Sequence, residues 1–171
     1  MRSLLDRLNN PLHLLIALAS TWLVASSPWL GMYHAVPDDP GAINLSHVVV
    51  GLGVVPLAAV YFAACAVGGR WRLYFPWAAG QFGDIGRDLA GIGKGQRPGS
   101  EGGGLFAAVE GLLLLALLAT AITGALWFLG RGTESAILWR GHHIVAARAL
   151  IGLMLLHVLA VSLHFVDLVR D

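Results

Sequence analysis

Four apolar runs, each long enough to cross a bilayer as a helix, dominate this chain: roughly residues 12–32, 45–68, 105–129 and 142–166. A helix rising 1.5 Å per residue needs about 20 apolar residues to span the hydrocarbon core. Between the first two runs lies "YHAVPDDPGAIN", short and rich in turn residues. Between the second and third lies a longer section, 69–104, ending in the glycine-rich "GKGQRPGSEGGG". Its middle, "GQFGDIGRDLAGIG", suits a short interfacial helix, although its glycines weaken that reading. Only 12% of residues are charged, with 57% hydrophobic and a mean hydropathy of +0.72. A soluble domain carries about 25% charged residues, so the composition is that of a membrane protein. At 171 residues the chain makes a single domain, 1–171. The first run continues to Trp29 and Met32 and is read as a retained helix rather than a cleaved leader.

Basic residues give an orientation. Arg2, Arg7, Arg70, Arg72, Arg87, Lys94, Arg97 and Arg170 fall on one side of a four-span topology, and Arg131 and Arg140 on the other. This asymmetry of eight against two puts both termini, and the 69–104 loop, in the cytoplasm. Trp29, Trp127 and Trp139 then mark the outer interface, Trp71 and Trp77 the inner one. The expected architecture is an all-α, four-helix, up-down membrane bundle. The basic residues form no stripe of the kind that binds nucleic acid.

Within that frame the histidines need explaining, because polar residues inside spans are costly and by default functional. His143 and His157, fourteen residues apart on the fourth helix, lie about 21 Å apart on nearly one face. The first helix carries His13 near its inner end, and the second carries His47 near its outer end. Up-down topology therefore pairs His47 with His143 outside and His13 with His157 inside. A haem iron takes two axial imidazoles from facing helices, and bundle cores are where such sites are built. Two stacked haems between the helices would form a transmembrane electron path.

The other histidines and the buried charges carry weaker expectations. His142 is the runner-up outer ligand, with a poorer facing angle. His34 reads as a solvated loop residue. His164 sits either near a quinone at the inner interface or among headgroups. Arg148 is placed either to pair with a haem propionate or to snorkel outward. Glu110 stands either to pass protons to a quinone or to gain from its helix N-terminus. Ala17, Gly51 and Ala147 follow three of the ligands by four residues. They either leave room for a porphyrin or serve ordinary helix packing.

Several classes are disfavoured. Cys65 is the only cysteine, so no internal disulfide, cysteine zinc site or thioether-linked haem is available. A histidine-based metal-binding or transport protein needs three or four ligands at one depth, which two separated pairs do not give. A retinal Schiff base needs a lysine within a span, and Lys94 is the only lysine.

The stretches "NPLHLLIAL", "LSHVVVG", "GHHIVA" and "LMLLHVLAVSLHF" together resemble the bacterial di-haem cytochrome b561 family. That family is similar to the cytochrome b subunits of nickel–iron hydrogenases and formate dehydrogenases. The resemblance implies one ligand on each of the first two helices and two on the fourth, matching His13, His47, His143 and His157. It also implies two noncovalent haem b groups in the bacterial inner membrane. Electrons would be exchanged with membrane quinone or quinol near the inner haem. The implied partner is a periplasmic dehydrogenase, hydrogenase or c-type cytochrome, with the chain serving as a membrane subunit of a homo- or hetero-oligomeric oxidoreductase. A free-standing quinone oxidoreductase of the same type is the alternative. "RPGSEGGGLFAAVEGLL" stands where many members carry a Gly-His-Asn-Pro stretch, and lacks that histidine and asparagine.

Overall fold

The computed structural model describes the backbone of residues 4–67, 71–95 and 104–170, and the side chains of 11–67, 71–95 and 104–162. Its helices are α1 (Leu4–Ser26), α2 (Gly41–Ala66), α3 (Trp71–Tyr74), α4 (Phe82–Ile92), α5 (Gly104–Leu129) and α6 (Glu134–Arg170), with a 3-10 turn at Ser27–Trp29. No strand occurs among the described residues. Four helices there are long and apolar enough to cross a membrane, over Pro11–Trp29, Gly41–Ala66, Gly104–Leu129 and Glu134–Ser162. Large apolar side chains such as Leu14, Leu18, Val49, Val145 and Leu155 are exposed on these helices. Water would punish such surfaces, and a bilayer is the solvent that fits them.

Turn chemistry corrects the expected limits of three spans. The first apolar run reaches residue 32, yet α1 stops at Ser26. Pro28 has no N–H to donate to the Val24 carbonyl, and the Ser27 hydroxyl donates to that carbonyl instead, at 2.8 Å. Helix α2 begins at Gly41, directly after Pro40, rather than at residue 45. Helix α6 begins eight residues before 142, after a polar turn in which Gly132 has φ 81°. There the Thr133 hydroxyl donates to the Gly130 carbonyl at 2.6 Å. The third span falls within a residue of its expected limits. A short helix, α4, does form in this section, and its Phe82, Ile85, Leu89 and Ile92 recur at helical spacing.

The chain divides into two compact units: Met1–Ala64 with Ala116–Ala149, and Cys65–Leu115 with Leu150–Asp171. In the first, Met32, Trp127 and Ala136 form a buried cluster, flanked by Leu30, Val36, Val48, Phe128 and Trp139. Three successive carbonyls of the α1–α2 connection are bonded there. Met32 accepts from Arg140 Nε at 3.2 Å, Tyr33 from Trp127 Nε1 at 3.1 Å, and His34 from the Gly132 N–H at 2.8 Å.

In the second unit Pro76 and Cys65 are fully buried. The Tyr74 carbonyl presses so closely on α5 at Gly111 that a Cβ there would collide with it. The start of α5 is capped from α4: the Leu105 N–H donates to Asp88 Oδ2 at 2.8 Å. Gly104 has φ 79° and no room for a side chain beside the Asp88 carboxylate. Only glycine suits both demands.

Candidate functional site

In the first unit, α2 brings His47 and α6 brings His143, both half-buried, close enough for their rings to interact electrostatically. Helix α5 supplies the surface that holds His143. Its Nδ1 lies 2.9 Å from the Thr120 carbonyl, with the Thr123 hydroxyl at 3.5 Å. A carbonyl only accepts, so the ring proton sits on Nδ1 and Nε2 keeps its lone pair. The Thr120 and Thr123 hydroxyls are themselves turned back to the Ala116 and Ala119 carbonyls, at 2.7 and 2.6 Å. Gly124 makes room for the ring: a Cβ there would lie 3.0 Å from His143 Cε1.

His47 is fixed in the same sense by α1. Its Nδ1 is 2.9 Å from Ser26 Oγ, and that hydroxyl donates to the Leu23 carbonyl at 3.2 Å. With its proton spent on Leu23, Ser26 can only accept from the ring. An Nδ1–H donating to Ser26 would leave Nε2 of His47 open in the same way. Two neutral imidazoles from different helices, each with a free Nε2, fit the axial demand of an iron porphyrin. Among the described residues no group of three or more His, Cys, Asp or Glu residues is placed to hold a metal ion alone. A pair suits an iron already held by a porphyrin's own nitrogens better than a bare ion.

The expected inner histidines belong to different units. His13, in the first, has Nδ1 3.1 Å from the Tyr61 hydroxyl, the rings meeting edge to face at 6.0 Å. His157, in the second, lies against Phe106 with centroids 5.7 Å apart and planes tilted by 35°.

His142 is exposed and packs on Trp139 at 5.6 Å, so its ring takes a different course from that of His143. His34 is exposed beside Tyr33. Arg148 is exposed on α6. The side chain of His164 lies outside the described residues. Glu110 is half-buried at the seventh position of α5, next to Gly111. It is too deep for the first-turn dipole, whose Leu105 N–H is already taken by Asp88. Ala17 and Ala147 are half-buried, and a Cβ on Gly51 would make ordinary contact with Leu23 at 3.8 Å.

Sequence reasoning passed over Ser26, Thr120, Gly124 and Tyr61, which hold or accommodate the rings. One signal was present: "TAITG", residues 120–124, is a polar and small-residue cluster inside an otherwise leucine-rich span.

A family model described as prokaryotic cytochrome b561 matches residues 6–168, nearly the whole chain. Comparisons with curated proteins and with solved structures find no match.

Proposed function

The chain belongs to the prokaryotic cytochrome b561 family, and from this premise we propose that it carries electrons between a periplasmic redox protein and the quinone pool through two haem b groups. Membership brings a membrane protein, b-type haem and transmembrane electron transfer. The finer reading rests above all on one observation. His47 and His143 each have an oxygen against Nδ1, Ser26 Oγ at 2.9 Å and the Thr120 carbonyl at 2.9 Å, which suits Nε2 to the ligating role.

In this reading His47 and His143 hold the outer haem, and His13 and His157 the inner one, within one domain of the bacterial inner membrane. Both termini face the cytoplasm. Bound haem iron supplies one-electron chemistry at a potential set by axial ligands, burial and hydrogen bonds. Helix α5 and the end of α1 orient the outer imidazoles. Tyr61 steadies His13 through its hydroxyl, and Phe106 backs the His157 ring. Quinone takes up or releases two electrons and two protons near the inner haem. Glu110 and His164 are the candidate groups for that proton exchange, and the exposed Arg148 is left to reach a propionate or the headgroups. The short outer connections offer no donor chemistry of their own, which favours a subunit of an oxidoreductase complex over a free-standing enzyme.

The test is a reduced-minus-oxidised spectrum with a pyridine haemochrome count on the purified protein. Two haem b per chain are expected. Replacing His47 or His143 with alanine should remove the same haem, and replacing His13 or His157 the other, while His142→Ala keeps both. Colourless protein would overturn the reading, and loss of the outer haem in His142→Ala would reassign its ligand. Co-purification with a redox partner supports the subunit role; turnover by the chain alone rejects it.

A further inference from the structure

A serine that closes a membrane helix has few reasons to be buried. Ser26 is 4% exposed, in the last turn of α1, where Pro28 prevents the helix from continuing. Its hydroxyl is committed on both sides: it donates to the Leu23 carbonyl at 3.2 Å and meets His47 Nδ1 at 2.9 Å. The back-bond to its own helix fixes where the oxygen points. Only acceptor capacity remains toward the ring. By accepting the Nδ1 proton, the serine would favour the tautomer and the ring rotation in which Nε2 is the ligating atom.

We propose that Ser26 is the positioning residue of the His47 ligand, raising electron donation from its imidazole and so lowering the potential of one haem. The inference rests on the bis-histidine reading above. An N–H that donates to an oxygen makes its imidazole a better electron donor to iron, and such partners commonly carry 10–100-fold in metal affinity. Stronger donation stabilises the ferric form and lowers the potential. Ser26 thus does by a side chain what the Thr120 main-chain carbonyl does for His143, and it is the member of the two that substitution can address.

The experiment uses the full-length protein, with wild type, Ser26→Ala, Ser26→Thr and Ser20→Ala compared. Ser20 is a second buried serine of α1 and controls for simple loss of a buried hydroxyl. Haem count, redox titration of both haems, low-temperature electron paramagnetic resonance of the ferric protein and haemin affinity of the apo-protein are read in each. In Ser26→Ala one midpoint potential should rise while the other stays, the ferric signal of that haem should change, and its haemin affinity should fall by about 10–100-fold. Ser26→Thr, which keeps the hydroxyl, should restore the wild-type values, and Ser20→Ala should not move them. If Ser26→Ala retains both haems at wild-type potentials, the proposal is overturned. The same holds if Ser20→Ala gives the same shift. Should Ser26→Ala lose the haem altogether, Ser26→Thr decides: both haems at native potentials support the role, and loss there too rejects it. Wild-type protein without haem would instead end the bis-histidine reading itself.

Discussion

His143 and His157 ride on one helix, fourteen residues apart, yet their surroundings differ in kind. His143 is gripped at a ring nitrogen, by the Thr120 carbonyl at 2.9 Å, over a gap left by Gly124. His157 lies with its ring against another, Phe106, at 5.7 Å. A nitrogen-centred hold dictates the tautomer and the rotation about the ring axis. A ring-on-ring contact dictates the plane, through the preference of aromatic pairs for offset or tilted packing. Two positions of one helix thus show two kinds of contact, a ring nitrogen on a carbonyl and a ring on a ring. Each arrangement depends on a glycine or cap belonging to α5.

The two holds can be separated by substitution. The largest effect is expected at Gly111→Ala, because the atom in the way is the Tyr74 main-chain carbonyl, which cannot swing aside. Overpacking of this kind costs about 3 kcal/mol. Thermal unfolding in detergent should show a clear drop in stability. On the proposed ligand assignment, haem loss should appear first at the site of His157, whose Phe106 partner lies on the same segment of α5; equal loss at both sites would erase the distinction.

A smaller effect is expected at Gly124→Ala. The new methyl would meet the His143 ring at 3.0 Å, and a ring tethered at Nδ1 yields only by stretching its hydrogen bond. A destabilisation of about 1–2 kcal/mol should come with a perturbed spectrum of the His143 haem and an unchanged His157 haem. An unperturbed His143 spectrum would show that the nitrogen-centred hold is loose.

The mildest test is Asp88→Ala, which removes the acceptor for the Leu105 N–H, one residue before Phe106. Loss of a cap costs about 1 kcal/mol. A slight change confined to the His157 haem is expected, read in the same redox titration. A change at the His143 haem instead would reverse the assignment.

What the sequence disclosed follows from this contrast. Burial in lipid leaves a coarse signature, so four apolar runs could be read directly, and four helices long and apolar enough to cross a membrane stand there. Helix ends could not be read this way, because hydropathy measures the crossing and not the helix. The apolar Trp29–Leu30–Met32 stretch prolongs the first run after Pro28 has ended α1, while Ser135, Arg140 and their neighbours open α6 well before its apolar part. Spacing and up-down order led to the expectation that His47 and His143 pair, and the two fall in one compact unit. The atoms that fix their tautomers were not legible, since a main-chain carbonyl such as that of Thr120 is present at every position. Ser26 gains its partner only when α1 and α2 pack.

The α1–α2 connection is pinned through three consecutive main-chain oxygens, at Met32, Tyr33 and His34. Such anchoring draws on main-chain atoms, while the exposed Tyr33 ring lies under the Arg140 guanidinium and edge-on to His34. Substitutions at Tyr33 or His34 can therefore change this surface while the main-chain bonds that pin the connection stay in place. Surface character and anchorage are here assigned to different atoms of the same residues.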